Sequence, residues 1–545
     1  MSIWLRSPIL RFGHWLGRKL LCWRTARFLA VLSVLIVLFY AEEDWRGKHA
    51  WEEFTREWEA KGEHFDREAF IPPPIPDEQN FAMIPAFAPL FDYEYTSDKL
   101  ADRMFRADVA KWRDQDAYDR IRRISVYRSS SYGGKDESAL LKGDWEPGVR
   151  TDLKAWQSYY RSSTNFPIAA RPQDPASDVL LALSKFDDFL NQIRAGARDR
   201  PMSRFPIHYD EEPAVYLPHQ NLFRNLSKLL ALRATAELES GRNEAASADV
   251  KLCFRLIGSS KSDPKLISQL VRMAMLRGIL QPIWEGVGTH RWNEQQLESF
   301  QNELLAIDFL SDYERTMRYE YAYRISLISD LRRGDLRAPD YVDMFTIITG
   351  GTGGRDDARK QMAPVARVLQ LYLASCPSGW LYQDQIKIGR FSQKSILPLV
   401  DVKAQRVYAK QFQGSERQRP KITGTIHNSL VDIPEWSATG SECHFAQGQT
   451  ARNEAMVACA LERYHIHYGQ YPDSTKALSP EFIQDIPHDV IDGNPLRYRR
   501  TADGGFVLYS IGWDEIDNGG VVDKEATFWG RTGDWVWQCP PTEPR

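Results

Sequence analysis

Residues 451–520 read ARNEAMVACALERYHIHYGQYPDSTKALSPEFIQDIPHDVIDGNPLRYRRTADGGFVLYSIGWDEIDNGG, and this run decides the fold class. Ala451 to Tyr468 reads as a helix rich in small residues, among them Ala455, Ala458 and Ala460. Gly469 ends it, because glycine reaches positive φ without a steric cost. Tyr471-Pro472 follows, then a second short helix from Ser474. Leu478, Phe482 and Ile486 fall four residues apart on one face of it, and Pro480 breaks it into pieces. A loop then runs through Ile486-Pro487-His488-Asp489 and Asp492-Gly493-Asn494-Pro495-Leu496-Arg497-Tyr498. Asp503-Gly504-Gly505 is a hairpin turn signal between the strand-like runs Leu496–Arg500 and Phe506–Ile511. Helix, loop and hairpin together make an α+β unit, and a loop bearing Asp514, Asp517, Asn518, Gly519, Gly520 and Asp523 closes it.

The Pro, Asp, Gly-Asn-Pro, Tyr run and the Leu508-Tyr509-Ser510-Ile511-Gly512 strand carry a resemblance. This part is similar to the globular domain of the major pseudopilins of type II secretion, the general secretion pathway G family. The resemblance implies that the aspartate loop binds a structural calcium ion through Asp514, Asp517 and Asp523. The chemistry suits it: calcium takes six to eight hard oxygen ligands from carboxylates, carbonyls and water, and Gly519-Gly520 lets the backbone turn carbonyls inward. An ordinary acidic surface turn is the alternative. Trp513 and Glu515 depart from the smaller residues usual there, and a tail from Phe528 to Arg545 continues past the usual end. The junction that opens a pseudopilin's long hydrophobic helix is not seen, and unrelated residues precede the domain. The resemblance therefore implies the fold of this part, not a fibre subunit.

Working outward, 545 residues exceed a single core, and about two to four domains are expected. The net charge of −3 and pI near 6.5 supply no basic field, so no nucleic-acid partner is expected. The 17 Trp are suited to burial or to a glycan-binding groove. Residues 1–40 carry Arg6, Arg11, Arg18, Lys19, Arg24 and Arg27 without an acidic residue, and Glu42-Glu43-Asp44 follows at once. Between them, Phe28–Tyr40 is apolar except for Ser33 and Tyr40. Extended from Trp23 to Ala41, it approaches the ~20 residues a spanning helix needs, with Arg24 and Arg27 snorkelling to the head groups. The charge asymmetry places the N-terminus in the cytoplasm and the bulk of the chain in the periplasm or outside. A cleaved signal peptide is the main alternative, but Phe39-Tyr40-Ala41 is a poor small-x-small site.

Asp44 to Gly62 is helical, with Trp51, Phe54 and Trp58 on one face turned to a core. Phe70-Ile71-Pro72-Pro73-Pro74-Ile75-Pro76 and the apolar residues to Phe91 read as an extended strap on a helical body. This anchor, aromatic helix and strap also look like a group of large exported proteins of planctomycete and verrucomicrobial type, from which no activity carries over. Asp178–Arg194 is an amphipathic helix, and Leu222 to Leu310 holds helix pairs with a turn at Glu239–Arg242, followed by a helix over Asp312–Arg333. The domain plan is a leader and signal anchor (1–41), an aromatic helix and strap (42–96), a mostly α-helical body (97–430) and a pseudopilin-G-like α+β domain with its tail (431–545).

Reaction chemistry is sparse. Thr349–Gly354 lacks the Gly-Lys-Ser/Thr end of a phosphate loop. His465 and His467, two apart on a helix, lie on different faces and make a poor metal pair. His208, Asp210, Glu211 and Glu212 read as a charged loop, and Glu314, Arg315, Arg318 and Glu320 as helix-surface ion pairs. Among the cysteines, Cys443 and Cys539 flank the C-terminal domain as a candidate pair, with isolated thiols the alternative. No catalytic residue is named. The expectation is an envelope scaffold or interaction protein of the cytoplasmic membrane, linked to type II secretion or pilus-like machinery and anchored through Phe28–Tyr40. The alternative is an exported hydrolase acting on a glycan or peptide in a cleft of the helical body.

Overall fold

The computed structural model describes residues 23–96, 110–127, 143–209, 215–341, 364, 367–411, 440–523 and 532–539. The basic leader as far as Lys19, Asp210–Glu212, Thr349–Gly354 and the polar run 412–425 lie outside the described residues. In chain order the main helices are α1 (Trp23–Glu59), α2 (Gln115–Arg122), α3 (Leu153–Arg161), α4 (Pro175–Leu183), α5 (Asp187–Asp199) and α6 (Pro218–Glu239). They continue with α7 (Asn243–Ser259), α8 (Leu266–Gly288), α9 (Glu294–Leu305), α10 (Phe309–Arg333), α11 (Ser378–Phe391) and α12 (Ser441–Tyr468). Among the described residues three small antiparallel sheets accompany them: β1 (Tyr93–Tyr95) with β2 (Ala110–Trp112), β3 (Val400–Asp401) with β4 (Arg406–Val407), and β5 (Arg497–Arg500), β6 (Phe506–Ser510) and β7 (Trp535–Cys539) in that order. The architecture is α+β and mostly helical.

The chain divides into two compact units, one of Met1–Phe65, Arg324–Arg390 and Ile422–Ile433, the other of Asp66–Tyr323, Phe391–Lys421 and Pro434–Arg545. In the first, α1 is long and apolar enough to cross a membrane, and its apolar window is wholly unburied. Farther along, α1 packs against α11 through a glycine crossing: a Cβ on Gly47 would lie 2.2 Å from the Gly379 carbonyl oxygen, and one on Gly379 1.9 Å from that of Glu43. Asp44 accepts from the Gly379 amide at 2.8 Å and Glu43 from the Trp380 indole at 3.0 Å. Phe54 is buried beside Trp51, Trp58 and Phe65, so the aromatic face does turn to a core.

In the second unit the strap is ordered: residues 71–76 form no helix or strand, with Ile71 and Pro76 at extended angles as expected of polyproline II, and 3-10 turns at Asp77–Gln79 and Phe81–Met83 interrupt the extended run only beyond the prolines. Phe81 and Phe87 are buried and lead to Phe223 of α6. Arg200 donates to the carbonyls of Asp77, Asn80 and Met83, which replaces the ladder that an irregular segment lacks. The helix expected over Asp178–Arg194 is two, α4 and α5, joined by a tight turn at Ser184–Phe186. Asp174 caps α4, accepting from the Ser177 amide at 2.9 Å, and Asp187 and Asp188 sit in the first turn of α5, where carboxylates offset the positive helix end.

Residues 434–545 group with 66–323 and 391–421 in one unit, so the C-terminal α+β segment is not a compact unit by itself. The reason is α12, which begins ten residues before its expected start and is buried nearly all round from Ser441 to Arg463. It packs on α8, α9, β6 and β7, so the C-terminal α+β segment shares a core with the helices. The expected hairpin forms, with Arg500 opposite Phe506, and the tail adds a third strand that pairs Phe506 with Cys539 and Ser510 with Trp535.

Candidate functional site

A deep concavity lies in the second unit, between facing sides of α6 and α8. Arg224, Lys228, Ala231 and Thr235 recur at helical spacing along α6, and Val271, Met275 and Gly278 along α8. Tyr127, Trp145 and Trp156 complete the wall of a cavity of about 730 Å³. That volume is within the range small-molecule sites occupy.

Segment 143–151 is stapled to α8. The Trp145 indole donates to the Arg277 carbonyl at 3.2 Å, and Arg277 forms ion pairs with Asp144 at 3.0 Å and Glu146 at 2.6 Å. Gln281 donates to Val149 O at 3.0 Å, and Thr151 donates its hydroxyl to Glu285 at 2.7 Å. Trp145 also packs on Trp537 of β7 at 5.3 Å. Lys228 lies over the Tyr127 ring at 5.5 Å. Burial pushes the Glu146 carboxyl up despite Arg277 beside it. Asp144 is the sole carboxylate-bearing residue on the described wall, so no pair of carboxylates converges there. Of the expected charged clusters, Arg318 pairs with Glu314 at 2.8 Å, as a helix surface does. Glu320 instead accepts from the Leu266 amide at 2.9 Å, satisfying the first turn of α8.

The three residues expected to hold calcium lie in a loop folded over the outer face of the C-terminal sheet. Val522 packs on Val507, Tyr509 and Val536, and a Cβ on Gly520 would come within 3.0 Å of Tyr509 and Val507. Asp514 accepts from the amides of Ile516 and Gly533, both at 3.1 Å. Asp517 accepts from Gly519 N at 2.9 Å and Tyr509 Oη at 3.2 Å, and Asp523 from the Thr532 hydroxyl at 2.6 Å. Asp534, which no sequence signal marks, accepts from the amides of Asn518 and Gly520. The donor chemistry suits a hard cation, but the arrangement is that of a hydrogen-bonded turn. Asp514, Asp517 and Asp523 do not form a group of mutually close ligand atoms among the described residues.

The group that does form is His290, Glu462 and His465, whose ligand atoms all lie within 4.8 Å of one another. His465 is thus partnered by a residue far away in sequence and not by His467. Its only local signal is the three-residue step from Glu462 on α12. The motif aspartate Asp489 is a structural knot: it is buried and accepts from Ile491 N, Ser510 Oγ, Ile511 N and Arg497. Partial burial works against ionisation of Asp492, yet Arg497 and Asn494 hold its carboxyl down to about 2. Cys443 and Cys539 are not bonded to each other, since both are free thiols, and Cys539 lies 3.7 Å from the Tyr471 hydroxyl instead. No family model, no curated protein and no solved structure matches this chain.

Proposed function

We propose that this chain is a single-pass protein of the cytoplasmic membrane, its N-terminus inside and its bulk outside, with a binding role. The observation that carries the reading is the cavity of about 730 Å³ between α6 and α8. Half of the residues in its wall are aromatic or aliphatic, and Arg224 and Lys228 stand one turn apart on α6. Such a site favours an amphipathic anion, an apolar body with a carboxylate or phosphate head. The usual glycosidase needs two converging carboxylates, and the described wall offers Asp144 alone, engaged with Arg277.

The test is equilibrium dialysis of the full chain in a non-ionic detergent with dodecanoate and with dodecanol. Wild type binds dodecanoate more tightly, Lys228→Glu removes that preference, and Ala231→Trp, which fills the space, blocks both. Equal binding by wild type and Ala231→Trp overturns the reading. The scaffold role in a secretion or pilus-like assembly, and a structural calcium at Asp514, Asp517 and Asp523, rest on the resemblance of residues 451–520 and on donor chemistry. Calcium then raises the unfolding temperature of wild type and leaves Asp514→Ala/Asp517→Ala unchanged; a chelator without effect on wild type removes it from the proposal.

A further inference from the structure

Two elements of the second unit bring three ligand-type side chains together without any sequence motif to announce them. Glu462 and His465 stand three residues apart near the end of α12, on one face of the helix. His290 follows the end of α8 with a positive φ of 53°, a backbone region that side-chain-bearing residues seldom occupy. That turn carries its ring to α12, where Nδ1 lies 2.8 Å from Glu462 Oε1. The rings of His290 and His465 lie 4.5 Å apart. Glu462 is fully buried, while His290 is exposed and His465 half-buried.

The carboxylate is also held from behind. Tyr471 donates its hydroxyl to the other oxygen, Oε2, at 2.7 Å. A buried acid oriented by an outer hydrogen bond, next to two imidazoles on the solvent side, is how proteins present ligands to a metal.

We propose that His290, Glu462 and His465 form a binding site for a borderline divalent ion, zinc by preference, with water as the fourth ligand. Two imidazole nitrogens and one carboxylate oxygen match zinc's preferred donors. A tetrahedral ion with bonds of about 2.1 Å sets its ligand atoms about 3.4 Å apart. The three atoms here lie within 4.8 Å of one another; a pair at that limit must close by about 1.4 Å, whereas His290 Nδ1 and Glu462 Oε1, at 2.8 Å, must open by about 0.6 Å to admit the ion. A metal lies in the plane of each imidazole it binds, whereas these two rings are stacked at an interplanar angle of 15°. One ring must therefore turn about its Cβ–Cγ bond, and exposed His290 has the room. Oxygen-only ions such as calcium do not suit this donor set. The site is separate from the cavity between α6 and α8, so either reading can fail alone.

The experiment uses the full chain in non-ionic detergent, stripped with a chelator and dialysed against zinc, then against cobalt. Wild type retains one more zinc per chain than His290→Ala or His465→Gln, and its cobalt form shows the visible absorption of a four-coordinate ion. Tyr471→Phe keeps all three ligands and loses about 10- to 100-fold in affinity. Asp514→Ala/Asp517→Ala retains wild-type zinc. Should His290→Ala lose its far-ultraviolet circular dichroism, His290→Asn takes its place. Equal zinc content and affinity in wild type, His290→Asn and His465→Gln, or a cobalt spectrum that those variants share with wild type, overturns the site.

Discussion

Two long helices of this protein invert the usual relation between polarity and burial. The first half of α1 is apolar, yet Phe28, Leu32, Leu35 and Phe39 are all exposed. α12 is rich in polar groups, yet Glu442, Gln449, Arg452, Asn453, Glu454, Glu462 and Arg463 are all buried. The difference lies in what each surface is supplied with. Among the described residues none covers the apolar α1 face, and a bilayer is a solvent in which such a face is stable. On α12 most buried polar atoms meet a named partner. Arg452 donates to Leu304 O at 2.8 Å and Leu305 O at 3.1 Å, capping the end of α9. Gln449 accepts from Phe309 N at 2.9 Å, and Arg463 donates to Gln301 and to Phe482 O. Glu454 differs: burial, reinforced by the charges of Glu146 and Asp489, pushes its carboxyl well above the usual range.

The sharpest way to break this contrast is to charge the apolar helix. Leu32→Arg/Leu35→Arg together cost about 6 kcal/mol of insertion, taking about 3 kcal/mol for each arginine. The protein then leaves the membrane fraction on an alkaline wash; full retention would show that α1 is not the anchor. Next in size is the removal of a designated partner on α12. Arg452→Met strands two carbonyls at the end of α9 and lowers unfolding stability by about 3 kcal/mol in a denaturant titration. A loss under about 1 kcal/mol would show that water satisfies those carbonyls.

The smallest effect is a gain. A carboxyl whose folded pKa is raised contributes stability that is full below its unfolded pKa, near 4.5, and is lost as pH rises toward the folded value. Glu454→Gln, neutral at every pH, therefore stabilises at pH 7 and not near pH 4, as denaturant titrations at the two values would read. A gain of the same size at both values would assign the effect to packing.

How much was legible follows the same contrast. The apolar stretch of α1 and the turn between α6 and α7 were readable, because apolar residues recur at helical spacing and Gly241 punctuates the turn. The hairpin was readable because Asp503-Gly504-Gly505 is short-range chemistry. The early turns of α12 were not, since Glu442, Gln447 and Gln449 look like a solvated surface until their distant partners are known. β7 was not legible although Trp535-Val536-Trp537 has strand character, because it lies past the point where the resemblance ends. His290 gives no local sign of Glu462, which lies 172 residues away.

The continuity of α1 carries a mechanical consequence. Its 37 residues make a rod about 55 Å long, and a bilayer core would take up only ~30 Å of it. The remainder would then be a stalk clamped by the Gly47–Gly379 crossing, so that the depth of the rod in a membrane and its rotational phase would be locked together. A single residue inserted near Ala41 would turn the clamped face by about 100° relative to the inserted one, whereas an insertion near one full helical repeat of about 3.6 residues would restore the heading and change only the height.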